Sequence, residues 1–277
     1  MSTPNQNNDR FVCGFEDEWQ DFRARNAVFF ERFQNLVDAL TTAFFLPTHF
    51  TDRDDMFIFT YGRLCVEDFF EILLLCGNGY GYGAVKLIRG LYERAVTLHY
   101  LHDHPTEIDD FVDFHLVSNR KLMIACRETM GSDLFSEEDV ARIEAEYKQV
   151  KNKFEVTVCE TCGTKRVGHH WSKLDFVSMA KKTNLGQFIV PGYYLPLAQA
   201  HATPSALFSR LKEVEGGALS FNDVAQRGPS DKALRLSHNI MLDVLQVQVE
   251  RFKIAGLKEQ RERCLQDFVD IYQSGSR

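Results

Sequence analysis

The sequence predicts an all-α protein, a multi-helix bundle that carries one small Cys/His-containing insert. Three observations predict it. Long stretches repeat apolar residues every three or four positions, which is the period of an amphipathic helix. Glycine and proline interrupt these stretches, as expected where one helix ends and the next begins. Hydrophobic residues make up 44% of the 277-residue chain and charged residues 26%, so the chain has enough apolar material for a core.

The first three helices follow from this period and its interruptions. Residues 14–45 carry apolar side chains at three- and four-residue spacing: Phe29, Phe33, Leu36, Leu40 and Phe44. A second helix is predicted over residues 51–76. The glycine-rich residues 77–83 are predicted as the turn before a third helix, residues 84–102.

The pattern of the remaining chain predicts further helices, apart from one segment at residues 156–171. Helices are expected over residues 106–130, 136–154, 172–182, 204–214, 232–255 and 257–272, with a loop over 215–231. Residues 156–171 break the helical period and are rich in Cys, Gly and His. Residues 1–12 are polar and predicted to be disordered. Because no linker forces a boundary, we expect one helical domain over residues 13–277, with the insert at 156–171.

Charge and composition exclude several classes of protein. The net charge is −7, so a general nucleic-acid coat is not expected and RNA is not favoured as a partner. The N-terminus lacks the pattern of a signal peptide, and no stretch reaches the roughly 18 apolar residues of a membrane span. Seven cysteines without such a signal favour reduced thiols. We therefore expect a cytoplasmic protein without membrane contact, and the Phe-rich helix faces are compatible with a homodimer.

The third helix carries the most informative polar residues. It is apolar on nearly every side, which is typical of a buried helix, yet it contains Arg89 and Glu93 four positions apart on one face. Buried charges are costly unless they are paired. The two residues predict either a structural ion pair or an internal polar pocket for ligand or catalysis. The preceding helix adds Arg63, Glu67 and Glu71 on one face, and the two sets would meet if these helices are neighbours.

A histidine directly after an aromatic segment, residues 193–200, is a second candidate. His201 precedes Pro204, which is expected to open a helix whose N-terminus favours anions. A histidine titrates near neutral pH and is therefore suited to general acid or base catalysis. The alternative is a histidine that only caps or hydrogen-bonds the loop.

The third helix also contains an Arg-x4-His spacing. Arg94 and His99 resemble in spacing the motif of HEPN ribonucleases, in which Arg and His act on the scissile phosphate and the attacking 2′-hydroxyl. Here Ala95 follows the Arg, where a polar residue is usual in that family. Five helical residues rotate by roughly 140°, so the two side chains need not converge. The alternative is a surface Arg and a partly buried His.

Two cofactor classes find little support. A di-iron bundle needs Glu-x-x-His on two helices, and no Glu of this chain has a His three residues later. The glycines of residues 77–83 suggest a dinucleotide fingerprint, but the segment before them is long and helical where that fingerprint needs a strand. We interpret these glycines as an inter-helix turn.

The insert contains a possible metal knuckle. Cys159 and Cys162 have the Cys-x2-Cys-Gly spacing that directs two thiolates at one ion, and His169 or His170 could supply a third ligand. Adjacent histidines rarely both ligate with good geometry. The sequence is thus compatible with a structural zinc, with two free thiols, or with a redox pair.

Three segments in order carry a family resemblance: AVKLIRGLYERAVTLHYL (84–101), WSKLDFVSMAKK (171–182) and YYLPLAQAHATPS (193–205). They resemble the bacterial helical family catalogued as domain of unknown function 5677, over about residues 50–250. The resemblance implies that Arg89, Glu93 and His201 are the polar residues of the family. Ala198 stands where the family usually has Ser. No activity comes with the resemblance, although its helical architecture is compatible with distant HEPN-like kinship.

Two functions are compatible with these features, and the sequence leaves open whether the protein is an enzyme. The first is a binding module for a protein or small ligand, with an internal Arg/Glu/His site. The second is an HEPN-like, metal-independent ribonuclease of stress or phage defence. In it, His201 or His99 would move protons while Arg89 or Arg94 stabilises the phosphate charge. The acidic charge and the abundant aromatic residues favour the first.

Overall fold

The computed structural model describes residues 14–15, 17–45, 50, 52–131, 134–159 and 161–273. Within these ranges the chain forms eleven α-helices and two small two-stranded sheets, which confirms the all-α multi-helix fold. No helix of the described ranges is long and apolar enough to cross a membrane. The predicted disorder of residues 1–12 lies outside the described residues.

The elements are numbered in chain order. The first six helices are α1 (Glu18–Arg25), α2 (Ala27–Phe44), α3 (Arg53–Gly77), α4 (Gly81–Asp103), α5 (Ile108–Met130) and α6 (Glu137–Val150). The middle contains β1 (Glu155–Cys159), β2 (Thr164–Val167), α7 (Phe176–Lys181), a π-helical turn (Val190–Tyr194), α8 (Leu195–Ala200) and α9 (Pro204–Phe208). The chain closes with β3 (Leu211–Glu213), β4 (Leu219–Phe221), α10 (Arg227–Phe252) and α11 (Leu257–Tyr272). Short 3-10 helices cover Pro105–Glu107, Lys151–Phe154 and Asn184–Phe188.

The described chain divides into two compact units. The first combines residues 1–99 with residues 180–277, and the second is the continuous stretch 100–179. The division groups residues by their contacts and does not test whether each unit folds on its own. One helical domain over residues 13–277 therefore stays a prediction.

In the first unit, α10 packs against α3 and α11 packs against α2. Aromatic side chains fill much of this core, among them the fully buried Phe22, Phe29 and Phe69. Arg32 also ties α2 to α11, because its Nη1 lies 2.9 Å from Asp267 and 2.6 Å from Asp270 of α11. Along α2, the apolar positions of the predicted period at Phe29, Leu36, Leu40 and Phe44 lie on the buried face.

The turn between α3 and α4 is shorter than predicted. Residues 78–80 make the turn, with Gly79 at φ +78°, and α4 begins at Gly81. A Cβ on Gly81 would lie 2.3 Å from the carbonyl oxygen of Gln226, which is far inside van der Waals contact. Glycine at this position therefore permits the close approach of α4 to the start of α10.

The second unit is built on α5 and α6, which pack together. Val117, Val150 and Phe154 form its buried cluster, with Trp171 packed against them. The predicted insert contains the antiparallel hairpin β1–β2, whose register shifts between Thr157 and Cys159.

Several predicted boundaries are wrong. The helix expected over residues 14–45 is interrupted at Asn26, which ends α1. The helix expected over 204–214 ends at Phe208, and the chain continues as the hairpin β3–β4. Gly216 and Gly217, both with positive φ, provide the turn of this hairpin.

Candidate functional site

Arg89 and Glu93 lie one turn apart on α4 and contact each other. The Nε of Arg89 donates a hydrogen bond of 2.8 Å to Oε1 of Glu93. This pair is the i,i+4 arrangement that the sequence predicted. The contact fixes one edge of the guanidinium group and leaves its two terminal nitrogens to other partners.

His201 completes the arrangement from a distant part of the chain. It follows α8, and its Nε2 lies 3.5 Å from Nη1 of Arg89. The guanidinium carbon of Arg89 also lies 4.8 Å from the ring centroid of Tyr193, within the range of a cation–π contact. We refer to Arg89, Glu93, Tyr193 and His201 as the Arg89 cluster.

Tyr92 of α4 packs against the segment that carries Tyr193 and holds it close to the helix. Its ring is fully buried, and its hydroxyl donates a 2.9 Å hydrogen bond to the carbonyl of Leu185. On the π-helical turn, a Cβ added to Gly192 would lie 2.7 Å from this ring, so only glycine fits there without a shift. Close packing of Gly192 on Tyr92 therefore brings the next residue, Tyr193, to Arg89.

The expectation that this polar site would be internal is wrong. The side chain of Arg89 is 26% exposed, that of Glu93 is 39% exposed, and His201 is exposed. The buried face of α4 is formed instead by residues such as Ile88, Leu91, Tyr92 and Ala95. Arg89 and Glu93 lie at the edge of that face, where solvent reaches their polar atoms.

The predicted helix N-terminus beside His201 offers little to an anion. α9 has five residues, and Thr203 already caps it by accepting a 3.1 Å hydrogen bond from the amide of Ala206. The Thr203 hydroxyl also donates to the carbonyl of Ala198 at 2.6 Å. His201 therefore contributes through its contact with Arg89.

The alternative pair, Arg94 and His99, occupies two different environments. Arg94 is ion-paired with Asp68 of α3, a residue that the sequence analysis did not select. Burial raises the pKa of Asp68, and the hydrogen bond from Arg94 opposes that shift. His99 is only 4% exposed. This burial, and the engagement of Arg94 with α3, do not favour a joint Arg-x4-His site at the surface.

The charged residues of α3 form their own arrangement. Arg63 lies 3.2 Å from Glu67, and its guanidinium carbon lies 4.3 Å from the ring centroid of Phe45. The contact between α3 and α4 that we anticipated is instead made by Asp68 and Arg94.

The predicted zinc ligands lie on and after the hairpin of the second unit. Cys159 ends β1, Cys162 lies in the turn, and His169 and His170 are exposed beyond β2. Cys162 Sγ lies 2.9 Å from the hydroxyl of Thr164. Hydrogen bonds from Thr164 and Cys159 lower the pKa of Cys162 to about 7, which favours the thiolate form that metals bind.

No metal cluster is assembled in the part of the chain that the structure describes, where no three His, Cys, Asp or Glu side chains gather closely enough to hold an ion. The two thiols are close together, and a zinc site would need the histidines to join them. Structural zinc at Cys159, Cys162, His169 and His170 stays a prediction.

In the comparison with known families, all of the candidate residues lie within the matched part of the chain. A family model described as a family of unknown function, DUF5677, matches residues 54–218. The match includes every residue of the Arg89 cluster and confirms the family resemblance of the sequence. Comparisons with curated proteins and with solved structures gave no match.

Proposed function

This chain belongs to the family DUF5677, and on that premise we propose that it is a binding module that recognises an anionic group through the Arg89 cluster. The contact between Arg89 and His201 carries the proposal. Two nitrogen-bearing side chains from distant segments lie 3.5 Å apart at an exposed surface. A phosphate or carboxylate of a protein or small ligand is the group that these side chains are suited to bind.

The surroundings of Arg89 support preorganised binding. Glu93 holds the Nε edge of the guanidinium and Tyr193 lies against its face. A planar guanidinium that is already oriented loses less side-chain entropy when an anion binds. Glu93 also offsets the charge of Arg89, so the site would favour an anion that can accept hydrogen bonds from both Arg89 and His201.

A metal-independent ribonuclease is the second candidate. Exposure of Arg89, Glu93 and His201 favours it, because catalysis of RNA cleavage needs groups that the substrate can reach. The net charge of −7 opposes it, since RNA binding depends on neutralising phosphates. The kinship with HEPN-like proteins belongs to this second candidate.

Three further features belong to the proposal. The free thiols of Cys65, Cys76 and Cys264 support a cytoplasmic location. Structural zinc on the hairpin of the second unit would act as a staple rather than in catalysis. Homodimer formation through aromatic helix faces is likewise proposed.

Titration with inorganic phosphate tests the binding function. We expect phosphate to shift the NMR signals of the His201 ring and of the Arg89 Nε–H group. Arg89→Gln should remove the His201 shift, because a neutral amide lacks the charge that holds the anion. Arg63→Gln is the matched control, since Arg63 has an i,i+4 Glu and an aromatic ring as well.

The competing outcomes are distinct. No shift of His201 at any phosphate concentration, or the same loss in both variants, would contradict anion binding at this site. RNA cleavage by the wild type in EDTA that is lost in Arg89→Gln and in His201→Ala would favour the ribonuclease instead.

A further inference from the structure

The first unit contains a cavity of about 660 Å³ that is separate from the Arg89 cluster. Its walls come from α4, from residues 184–195, and from one side each of α10 and α11. A cavity of this size is within the range of sites that hold small organic ligands. None of the residues of the Arg89 cluster lines it.

One face of α10 runs along the length of the cavity. Lys232, Leu236, Asn239 and Asp243 follow one another at three- or four-residue spacing and all line it. At 1.5 Å per residue, the ends of this row are about 16 Å apart along the helix. The cavity is therefore elongated along α10.

The middle of the cavity is apolar. Ile88 of α4 and Leu236 of α10 line it, together with Phe188, Pro191 and Leu195 of the connecting segment. This composition suits the hydrocarbon or aromatic body of a ligand, because burial of apolar surface contributes about 25 cal/mol per Å².

The charges that line the cavity are mainly positive. Among its described lining residues, Lys232, Arg235 and Arg261 are the cations and Asp243 is the carboxylate. Lys232 and Arg235 lie one turn apart at one end and are exposed. This end can neutralise an anionic group while water still reaches it.

The other end contains a buried polar atom that lacks a hydrogen-bond partner. The Nε atom of Arg261 is buried and has no hydrogen-bond partner among the described residues. Asp243 lies near it and is half-buried, and this desolvation raises the pKa of its carboxyl group to about 6. Buried polar groups normally have partners, so this unpaired Arg261 atom indicates a cavity that a ligand can occupy rather than a packing gap.

We propose that this cavity binds an elongated amphipathic organic anion. Its carboxylate lies at Lys232 and Arg235, and its apolar body extends along α10 over Leu236 towards Asp243. This inference is independent of the anion site proposed at the Arg89 cluster, because the two sites share no residue.

Isothermal titration calorimetry on the full chain tests the proposal with two probes that have the same tail. Dodecanoate and dodecyltrimethylammonium differ in the sign of the head group, and both are used below their micelle-forming concentrations. We expect dodecanoate to bind with one site per chain and at least about tenfold more tightly than the cation. Equal affinity for the two probes, or no binding of dodecanoate, overturns the proposal.

Variants locate the site. The double variant Lys232→Gln with Arg235→Gln should weaken dodecanoate binding by about tenfold or more, because both residues are exposed cations at the mouth. Lys258→Gln removes an exposed cation of α11 that does not line the cavity and should leave binding unchanged. Unchanged binding in the double variant contradicts the proposal.

A variant of an apolar lining residue tests the binding site without changing any charge. Leu236→Trp fills the apolar middle and should abolish dodecanoate binding, with circular dichroism showing that the helices persist. If this variant loses its helices, Ile88→Phe provides the same obstruction from α4. Retention of full affinity in a folded, obstructed variant means that dodecanoate binds elsewhere. Because the Arg89 cluster is also proposed to bind carboxylates, the titrations are repeated in Arg89→Gln. The cavity site should persist in that variant, so failure here is separable from failure at the Arg89 cluster.

Discussion

Nη1 of Arg89 lies 3.5 Å from Nε2 of His201, although the two residues are 112 positions apart in the chain. The contact joins the middle of α4 to the residue after α8. The contact depends on the packing of residues 185–194 against Tyr92. Substitutions at Arg89 or His201 should perturb it directly, and substitutions at Tyr92 should perturb it indirectly.

Arg89→Ala should leave the stability of the protein nearly unchanged. The Arg89–Glu93 pair is partly exposed, and such pairs contribute about 0–1 kcal/mol to the free energy of unfolding. We expect a loss of less than about 1 kcal/mol in urea unfolding, together with loss of phosphate binding. A much larger destabilisation would mean that Arg89 is a structural residue rather than a binding residue.

Tyr92→Phe should show how far the Arg89 cluster depends on the hydrogen bond between Tyr92 and Leu185. The substitution keeps the ring that packs on Gly192 and removes the hydroxyl that donates to Leu185. We expect the free energy of unfolding to fall by about 1–2 kcal/mol, because a buried carbonyl loses its partner. Phosphate titration of the same variant should show weaker binding, since residues 185–194 are held less firmly. Undiminished stability would show that this hydrogen bond is not needed.

Gly81→Ala and Gly90→Ala should have opposite effects. At Gly81 the new methyl group would meet the Gln226 carbonyl at 2.3 Å, so α4 and α10 must move apart, at a cost of about 3 kcal/mol. At Gly90 its nearest neighbour is the flexible Arg94 side chain at 3.4 Å. Alanine there should stabilise the helix by up to about 1 kcal/mol. Thermal unfolding of both variants measures the difference, and equal melting temperatures would contradict the described contact.

Asp243 and His238 of α10 should make opposite contributions to the free energy of unfolding between about pH 4 and pH 6.5. Burial raises the pKa of Asp243 to about 6, against the attraction of Arg261, so its contribution is present at low pH and is lost as pH rises through 6. Burial lowers the pKa of His238 to about 4, against the attraction of Asp267. Its contribution is present above its unfolded pKa and is lost as pH falls towards 4.

Urea unfolding as a function of pH tests this opposition. Asp243→Asn should make stability rise more steeply from pH 4 to 6.5, and it should stabilise the protein at pH 8 by up to about 3 kcal/mol. His238→Gln should have the reverse effect on the slope. If both variants change the pH dependence of the free energy of unfolding in the same direction, the opposite pKa shifts assigned to Asp243 and His238 are incorrect.

The hairpin of the second unit should bind zinc with about one ion per chain, as four ligands of this type do in structural sites. Elemental analysis of purified protein measures the ratio. Cys162→Ser should release the metal and lower the melting temperature of the second unit, whereas Cys126→Ser, outside the hairpin, should change neither. A metal content near zero, with Cys162→Ser unchanged in stability, would contradict the zinc prediction.

The elements that could be predicted from the sequence are those governed by local period and spacing. α4 and α5 are long and periodic, so their ends were predicted to within a few residues. The Arg89–Glu93 pair follows from helical geometry alone. The β3–β4 hairpin was missed, because strands of three residues carry almost no periodic signal.

The elements that could not be predicted depend on tertiary contacts. Asp68 pairs with Arg94 across a tertiary contact between α3 and α4, and nothing in the local sequence distinguishes Asp68 from Glu67. Tyr193 reaches Arg89 through the packing of Gly192 on Tyr92. Apolar residues around the helix axis indicated burial, but they did not reveal which edge of α4 would stay open to solvent.

The ion pairs of Arg32 have a consequence during synthesis. Arg32 and Asp267 are 235 residues apart, so α2 is translated long before its partner α11 exists. The stretch 100–179 is continuous and can close its own core while the ribosome is still adding later residues. The N-terminal helices must wait with their aromatic faces uncovered until almost the whole chain has emerged, which makes this interval the period of greatest exposure to aggregation.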